Sequence, residues 1–253
     1  MAMTQGMVSV IIPVYNAEKY IEQTIVSVIS QTYKSVEIIV IDDNSGDDSA
    51  RIIQALMEKY PQIRYEKLKE NSGAAVARNR GIALAQGQYL AFLDSDDLWK
   101  PEKIQKQVEF LERYNAEFVY TAIEMIDEEG RLVKSKRSIR QEVDYSFLLK
   151  NTMIATSSVL LDIKRIGKFQ MPDLRSGQDY ATWLMLLRDG RIAYGLDEAL
   201  VQYRRREGSL SSRKMRNWKK VWNIQRNYEG ISPFNTGINC IQYIVNAVKK
   251  HLM

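Results

Sequence analysis

The chain has 253 residues, with 36 Lys and Arg against 31 Asp and Glu, 45% hydrophobic and 26% charged, which is enough to bury a full globular core. Its single cysteine, Cys240, and single histidine, His251, exclude an internal disulfide, a Cys/His zinc site, a Ser-His-Asp triad and an HExxH metalloprotease. Acid–base or metal chemistry must rest on carboxylates.

The charge is unevenly placed. Residues 203–253 hold 11 Lys and Arg and 2 Asp and Glu, whereas residues 1–202 hold 25 against 29. A mildly acidic body with a basic tail is not the even positive field of a nucleic-acid binder, so no nucleic-acid partner is expected. No stretch reaches the ~18–20 apolar residues of a membrane-spanning helix. The first seven residues, MAMTQGM, lack a secretory signal pattern, so a cytoplasmic location is expected.

In chain order, the β-branched run Val8 to Val14 predicts a buried strand. Asn16 is positioned to cap a helix from about Glu18 to Ser30, with Tyr20, Ile21, Ile25, Val28 and Ile29 at helical spacing. Val36 to Ile41 predicts a second strand, Ser49 to Tyr60 a helix, and Ile63 to Leu68 a third strand. Ala74 to Ala85 follows as a helix behind the cap candidate Ser72, and Gln88 to Leu93 as a fourth strand. Pro101 is expected to open the next helix, and Asp127 to Gly130 to turn between two strands. Beyond about residue 140 the pattern is mixed. The alternation predicts an α/β fold, a mostly parallel sheet with helices on both faces and ligands beyond the carboxyl ends of the strands.

Polar clusters fall at those ends. In Asp94-Ser95-Asp96-Asp97, extended chain would project Asp94 and Asp96 together, and like charges so close call for a cation or donors. A hard divalent ion completed by substrate phosphates fits; so does a solvated turn capping the next helix. Asp42-Asp43-Asn44-Ser45-Gly46 reads as carboxylates for a base or ribose, or as turn chemistry. Asn71-Ser72-Gly73 before Ala77-Arg78-Asn79 reads as close backbone approach with a cation for phosphate, or as a capped helix with surface arginines. Asp179, after Gly177-Gln178, sits in the first turn of a helix containing Trp183, where the dipole favours its anion. Gln202 to Arg206 is either a phosphate site or a solvated face. No GxGxxG or GxxxxGK[ST] pattern is present.

Taken in order, Pro13-x-Tyr15-Asn16, Ile41-Asp42-Asp43-Asn44-Ser45, Asn71-x-Gly73-x-x-x-Ala77-Arg78-Asn79-x-Gly81 and Asp94-Ser95-Asp96-Asp97 resemble the ordered motifs of family 2 glycosyltransferases across about residues 8–212. The resemblance implies a GT-A domain over 1–212, its nucleotide-binding half about 1–100 and its acceptor half about 101–212, followed by a basic helical extension over 213–253. It implies an inverting transfer of a sugar from a nucleotide-diphosphate sugar, commonly a UDP-sugar, to a glycan or lipid-linked acceptor in cell-surface polysaccharide synthesis. Pro13, Tyr15, Asn16, Asp42, Asp43, Asn71, Gly73, Arg78, Asp94, Ser95, Asp96 and Arg206 would bind the donor. Asp96 and Asp97 would hold Mn²⁺ or Mg²⁺, and Asp179 would be the catalytic base.

Two departures stand out. Gln178 occupies a position where many members carry Glu, and Arg206 one where many carry His. Arginine cannot ligate a metal but can neutralise phosphate oxygens. The processive Gln-x-x-Arg-Trp motif is missing, so single-sugar addition is expected. The alternative is a catalytically silent nucleotide-sugar-binding subunit, against which Asp179 and the aspartate cluster both count.

Residues 213–226 place Trp218, Val221, Trp222 and Gln225 at helical spacing among Arg213, Lys214, Arg216, Lys219, Lys220 and Arg226. That pattern suits peripheral contact with an anionic membrane, or a helix whose tryptophans pack on the catalytic domain.

Overall fold

The structure, a computed structural model, describes residues 3–136, 139–205 and 217–252. The amino-terminal half alternates β1 (Thr4–Val14), α1 (Ile21–Ile29), β2 (Val36–Asp42), α2 (Ser49–Lys59), β3 (Ile63–Lys67), α3 (Ala74–Leu84) and β4 (Gly87–Phe92). Next come β5 (Leu98–Trp99), α4 (Lys103–Tyr114), β6 (Phe118–Ile126), β7 (Leu132–Lys134), β8 (Glu142–Val143) and α5 (Tyr145–Leu148). A 3₁₀ turn, Thr156–Ser158, leads into β9 (Val159–Asp162) and α6 (Ile163–Ile166). The chain continues through α7 (Gln178–Leu187), β10 (Ala193–Arg204), α8 (Asn217–Asn227) and α9 (Pro233–Leu252).

One sheet runs β3-β2-β1-β4-β9-β6-β10-β5, with β7 on β6 and β8 on β10. Strands β3, β2, β1 and β4 are parallel, as are β6 and β10. β9 joins the two blocks antiparallel to both its neighbours. The α/β fold and the parallel order of the first four strands follow the sequence pattern. The short antiparallel strands of the second half account for the mixed pattern there.

Helices cover both faces, as the continuous apolar runs of a doubly covered sheet require. Val8, Val10, Ile12 and Val14 share one core with α1, α2 and α4. Ile11, Leu90, Phe92 and Phe118 share the other with α5, α7, α8 and Cys240 of α9. Each fully buried Ile or Phe contributes about 1.5–3 kcal/mol of transfer free energy. Trp183 anchors α7, lying 5.3 Å edge-on to Phe118 and 6.2 Å from Phe92. Among the described residues no helix is long and apolar enough to cross a membrane.

Several local expectations fail for identifiable reasons. Asn16 does not cap α1, which starts at Ile21; it takes a left-handed φ of 48° and its Oδ1 accepts from the Gly46 amide. Ser72 does not cap α3, because Gly73 stands at the cap with φ 96°. Pro101 precedes α4 by a turn, since the helix begins at Lys103. In the tail, Val221, Ile224 and Gln225 pack inward, while Trp218 and Trp222 are 39% and 36% exposed. Arg206, Arg213, Lys214 and Arg216 lie outside the described residues.

Candidate active site

Three loops meet beyond the carboxyl ends of β1, β2 and β4. Pro13 is buried at the end of β1, where it registers with Ile41, and Tyr15 beyond it is exposed. The first two loops are stapled together: the Asn16 amide donates to Ser45 Oγ at 3.0 Å and the Asp43 amide to the Val14 carbonyl at 2.7 Å.

Asp42 and Asp43 have different environments. Asp42 is fully buried; its Oδ1 accepts from the Ser45 amide and its Oδ2 from the Tyr65 hydroxyl, both at 2.7 Å. Burial, then this hydrogen bond and the Asp42 charge, hold the Tyr65 phenol well above its usual range. Asp42 thus braces β2 against β3. Asp43 accepts from the Ser72 amide at 2.7 Å and the Gly73 amide at 2.8 Å. It thereby draws the Asn71–Gly73 loop over the strand end, with Asn71 Nδ2 donating to the Asp43 carbonyl. Both amides can point at one carboxylate because Gly73 adopts a backbone that L side chains rarely take.

Asp94 to Asp97 form a turn rather than extended chain, the Asp97 amide donating to the Asp94 carbonyl at 3.0 Å. The alternation that would pair Asp94 with Asp96 thus does not apply. Ser95 is tied by its carbonyl to the Thr24 hydroxyl. Asp97 is directed inward: its Oδ2 accepts from Ser157 Oγ at 2.6 Å and its Oδ1 from the Arg204 amide at 3.0 Å. Burial, and then the charges of Asp94 and Asp96, push its carboxyl well above the usual range. Each oxygen thus takes one donor, and Asp97 ties the turn to Ser157 and Arg204. Asp96 and Asp94 remain partly exposed.

Arg78, on the buried side of α3, donates from Nη2 to Asp94 Oδ1 at 2.5 Å. Its Nε and Nη1 are buried without a hydrogen-bond partner among the described residues. Buried guanidinium donors left unpaired are costly, and an anionic ligand would satisfy them.

The turn Thr156–Ser158 unites the site, and no sequence signal marks it. Ser157 Oγ accepts from the Asp94 amide at 3.1 Å while donating to Asp97. Its neighbour Thr156 donates to Asp179 Oδ2 at 3.3 Å from the first turn of α7. Consecutive residues therefore hold the aspartate turn on one side and Asp179 on the other. Gln178 Oε1 is also buried without a partner among the described residues. Sequence reading likewise missed Arg204. It is buried, and its side chain donates to the carbonyls of Asp96 (2.8 Å), Asp127 (3.1 Å) and Glu128 (2.9 Å) while stacking 4.7 Å over Tyr20.

Among the described residues no group of three or more His, Cys, Asp or Glu is arranged to hold a metal. The donors present are carboxylate oxygens, which suit a hard cation that draws its remaining ligands from elsewhere.

Comparison with known proteins identifies the family and the fold. Residues 9–170 match the model of "Glycosyl transferase family 2". The chain is 42% identical over 246 residues to the putative teichuronic acid biosynthesis glycosyltransferase TuaG of Bacillus subtilis, covering 97% of this chain and 98% of that one. It is 33% identical over 251 residues to the UDP-Glc:alpha-D-GlcNAc-diphosphoundecaprenol beta-1,3-glucosyltransferase WfgD of Escherichia coli, covering 98% and 96%. Among solved structures, S. aureus TarS 1-349 in complex with UDP-GlcNAc superimposes with a TM-score of 0.69 at 20% identity, over 94% of this chain and 71% of that one. The mannosyltransferase PcManGT of Pyrobaculum calidifontis, in complex with GDP-Man and Mn²⁺, gives 0.68 at 18% identity, over 90% and 66%. The chain belongs to glycosyl transferase family 2 and has the GT-A fold.

Proposed function

We propose that this glycosyltransferase moves one sugar, with inversion, from a UDP-sugar to a hydroxyl of a lipid-linked glycan in cell-surface polysaccharide synthesis. The observation that carries the reading is the Thr156–Ser157 bridge, which sets an aspartate turn and a buried arginine with two unsatisfied donors beside the half-buried carboxylate of Asp179. The named functions of TuaG and WfgD support the acceptor class.

In this reading Tyr15, Asn16, Asn71, Gly73 and Asp43 border the nucleotide, with Asp43 acting chiefly by holding the Asn71–Gly73 amides in place. Arg78 directs Nε and Nη1 toward anionic oxygen of the donor, and Asp94 keeps the guanidinium oriented. Arg206, two residues after Arg204 in sequence, supplies further positive charge. Asp96, with Ser95 and Asp94 shaping the turn, would hold Mn²⁺ or Mg²⁺; bound there, the ion supplies neutralisation of diphosphate charge. Asp179 takes the proton of the acceptor hydroxyl as that oxygen attacks the anomeric carbon, and Thr156 fixes its orientation. A single displacement at that carbon inverts its configuration. Residues 1–212 act as the catalytic domain and 213–253 as its extension.

Asp179→Asn tests this. The substitution keeps shape and the Thr156 contact but removes basicity, so turnover should fall roughly 10²-fold or more while UDP affinity is unchanged. Turnover within a few-fold of wild type would refute the base, and wild-type protein that binds UDP-sugar yet never releases UDP with acceptor extract would favour a silent binding subunit.

A further inference from the structure

Helix α9 is amphipathic in the wrong sense for a helix that belongs only to a water-soluble domain. Such helices bury the apolar stripe and expose the polar one. Here the side facing the protein is largely polar, with only Cys240 and Tyr243 joining the apolar core: Thr236 is fully buried, Asn239 Nδ2 donates to Gln225 Oε1 at 3.0 Å, and Asn246 Nδ2 donates to the Lys150 carbonyl at 3.2 Å. Phe234, Ile238, Ile241 and Val245, spaced by three or four residues along one stripe, face outward. Phe234 is 77% and Ile241 65% exposed. The inward polar groups are hydrogen-bonded, so this orientation is satisfied rather than forced. On α8, which packs against α9, Trp218 and Trp222 are also exposed.

The charges around this face select the occupant. Residues 217–253 contain Lys219, Lys220, Arg226, Lys249 and Lys250 and one acid, Glu229. The Glu229 side chain is almost completely buried and pairs with Arg188 at 2.9 Å, so its charge is already matched within the fold. A second copy of the chain docking through the same patch would bring like charges together. An anionic bilayer accepts both features, since tryptophans settle at the headgroup level and each nearby Lys or Arg adds attraction.

We propose that the outward stripe of α9, with Trp218 and Trp222 of α8, inserts into the interface of an anionic phospholipid bilayer and seats the enzyme on the membrane. The seat is connected to the chemistry. Gln225 of α8 donates to the Tyr180 hydroxyl at 3.1 Å, one residue after Asp179, and to the Leu149 carbonyl at 2.7 Å. Docking would thus set the height of Asp179 above the lipid, where a lipid-linked hydroxyl presents itself. This last step rests on the transferase reading; the docking itself does not.

The experiment is co-sedimentation of the full chain with vesicles of phosphatidylglycerol and phosphatidylcholine, against phosphatidylcholine alone, at low and high salt. Wild type should bind the anionic vesicles, release with salt, and shift tryptophan emission to shorter wavelength. Phe234→Ser/Ile241→Ser/Val245→Ser should weaken binding roughly tenfold or more at an unchanged unfolding midpoint. If that midpoint moves, Ile241→Ser alone carries the comparison. Wild type left in the supernatant at low salt, or a substituted protein that binds equally well, overturns the proposal. So does a wild-type dimer in sedimentation velocity that the substitutions convert to monomer. Vesicle binding needs no turnover, so an inactive protein that still binds would refute the transferase reading and leave this one intact.

Discussion

Arg204→Met is the sharpest test of how the site is held. Methionine retains the apolar stem but removes the four hydrogen bonds that the guanidinium makes to the carbonyls of Asp96, Asp127 and Glu128 and to Gln23 Oε1, together with its stacking on Tyr20. An unsatisfied buried acceptor costs about 1–3 kcal/mol. Glu128 is exposed and Asp96 and Asp127 are partly so, which lets water reach the abandoned carbonyls and moves the total toward the lower end. We expect a loss of about 3 kcal/mol, equivalent to a fall of about 6–12 °C in Tm for a chain of this size. Because the Asp96 carbonyl is released, Mn²⁺-dependent tightening of UDP should weaken even at temperatures where the variant is fully folded. Arg204→Lys, which can reach fewer of these acceptors, should fall between the two. Chemical denaturation and calorimetry on the same samples provide both readouts. A stability loss under 1 kcal/mol with normal metal-dependent UDP binding would refute the assignment of Arg204 as the clamp on the aspartate turn.

Other outcomes follow from neighbouring contacts. UDP affinity should rise with Mn²⁺ or Mg²⁺, and Asp96→Ala should remove most of the gain; calorimetry giving equal affinity with metal and with EDTA would contradict the metal reading. Ser157→Ala removes the donor to Asp97 and the acceptor of the Asp94 amide, and should cost about 1–3 kcal/mol in denaturant unfolding. Lys103 is fully buried without a carboxylate partner among the described residues, bonded to Gln107 Oε1 at 2.6 Å and lying 3.8 Å over Trp99, and burial depresses its pKa strongly. The folded state therefore holds fewer protons than the unfolded one below the ordinary lysine value of about 10.4, so wild type should gain stability relative to Lys103→Met as pH rises from 7 toward 10. Parallel stability curves for the two proteins across that range would show that Lys103 is protonated in the fold.

What the sequence determined by itself was local and periodic. Runs such as Val8 to Val14 and Val36 to Ile41 are too short and too β-branched for helices. Their alternation with 3.6-residue patterns dictates a parallel sheet with loops gathered at one edge. The motif order then marked out candidate donor residues and Asp179, most of them within a few residues of a strand end or helix start. The tertiary structure decided which partners each carboxylate meets. Asp42 and Asp43 are adjacent in sequence, yet one is consumed by Ser45 and Tyr65 and the other by a loop almost thirty residues away. Asp97 is turned inward by Ser157 and Arg204, both remote in the chain. Arg204, one of three consecutive arginines, could not be told from Arg205 and Arg206 by sequence until the fold closed around it. The same limit applies to α9: its period predicts an apolar stripe, but only the hydrogen bonds of Asn239 and Asn246 determine that the stripe points away from the protein. Hydrophobic period is a property of one segment, whereas the partner of a polar atom is set by whichever distant segment the packing delivers to it.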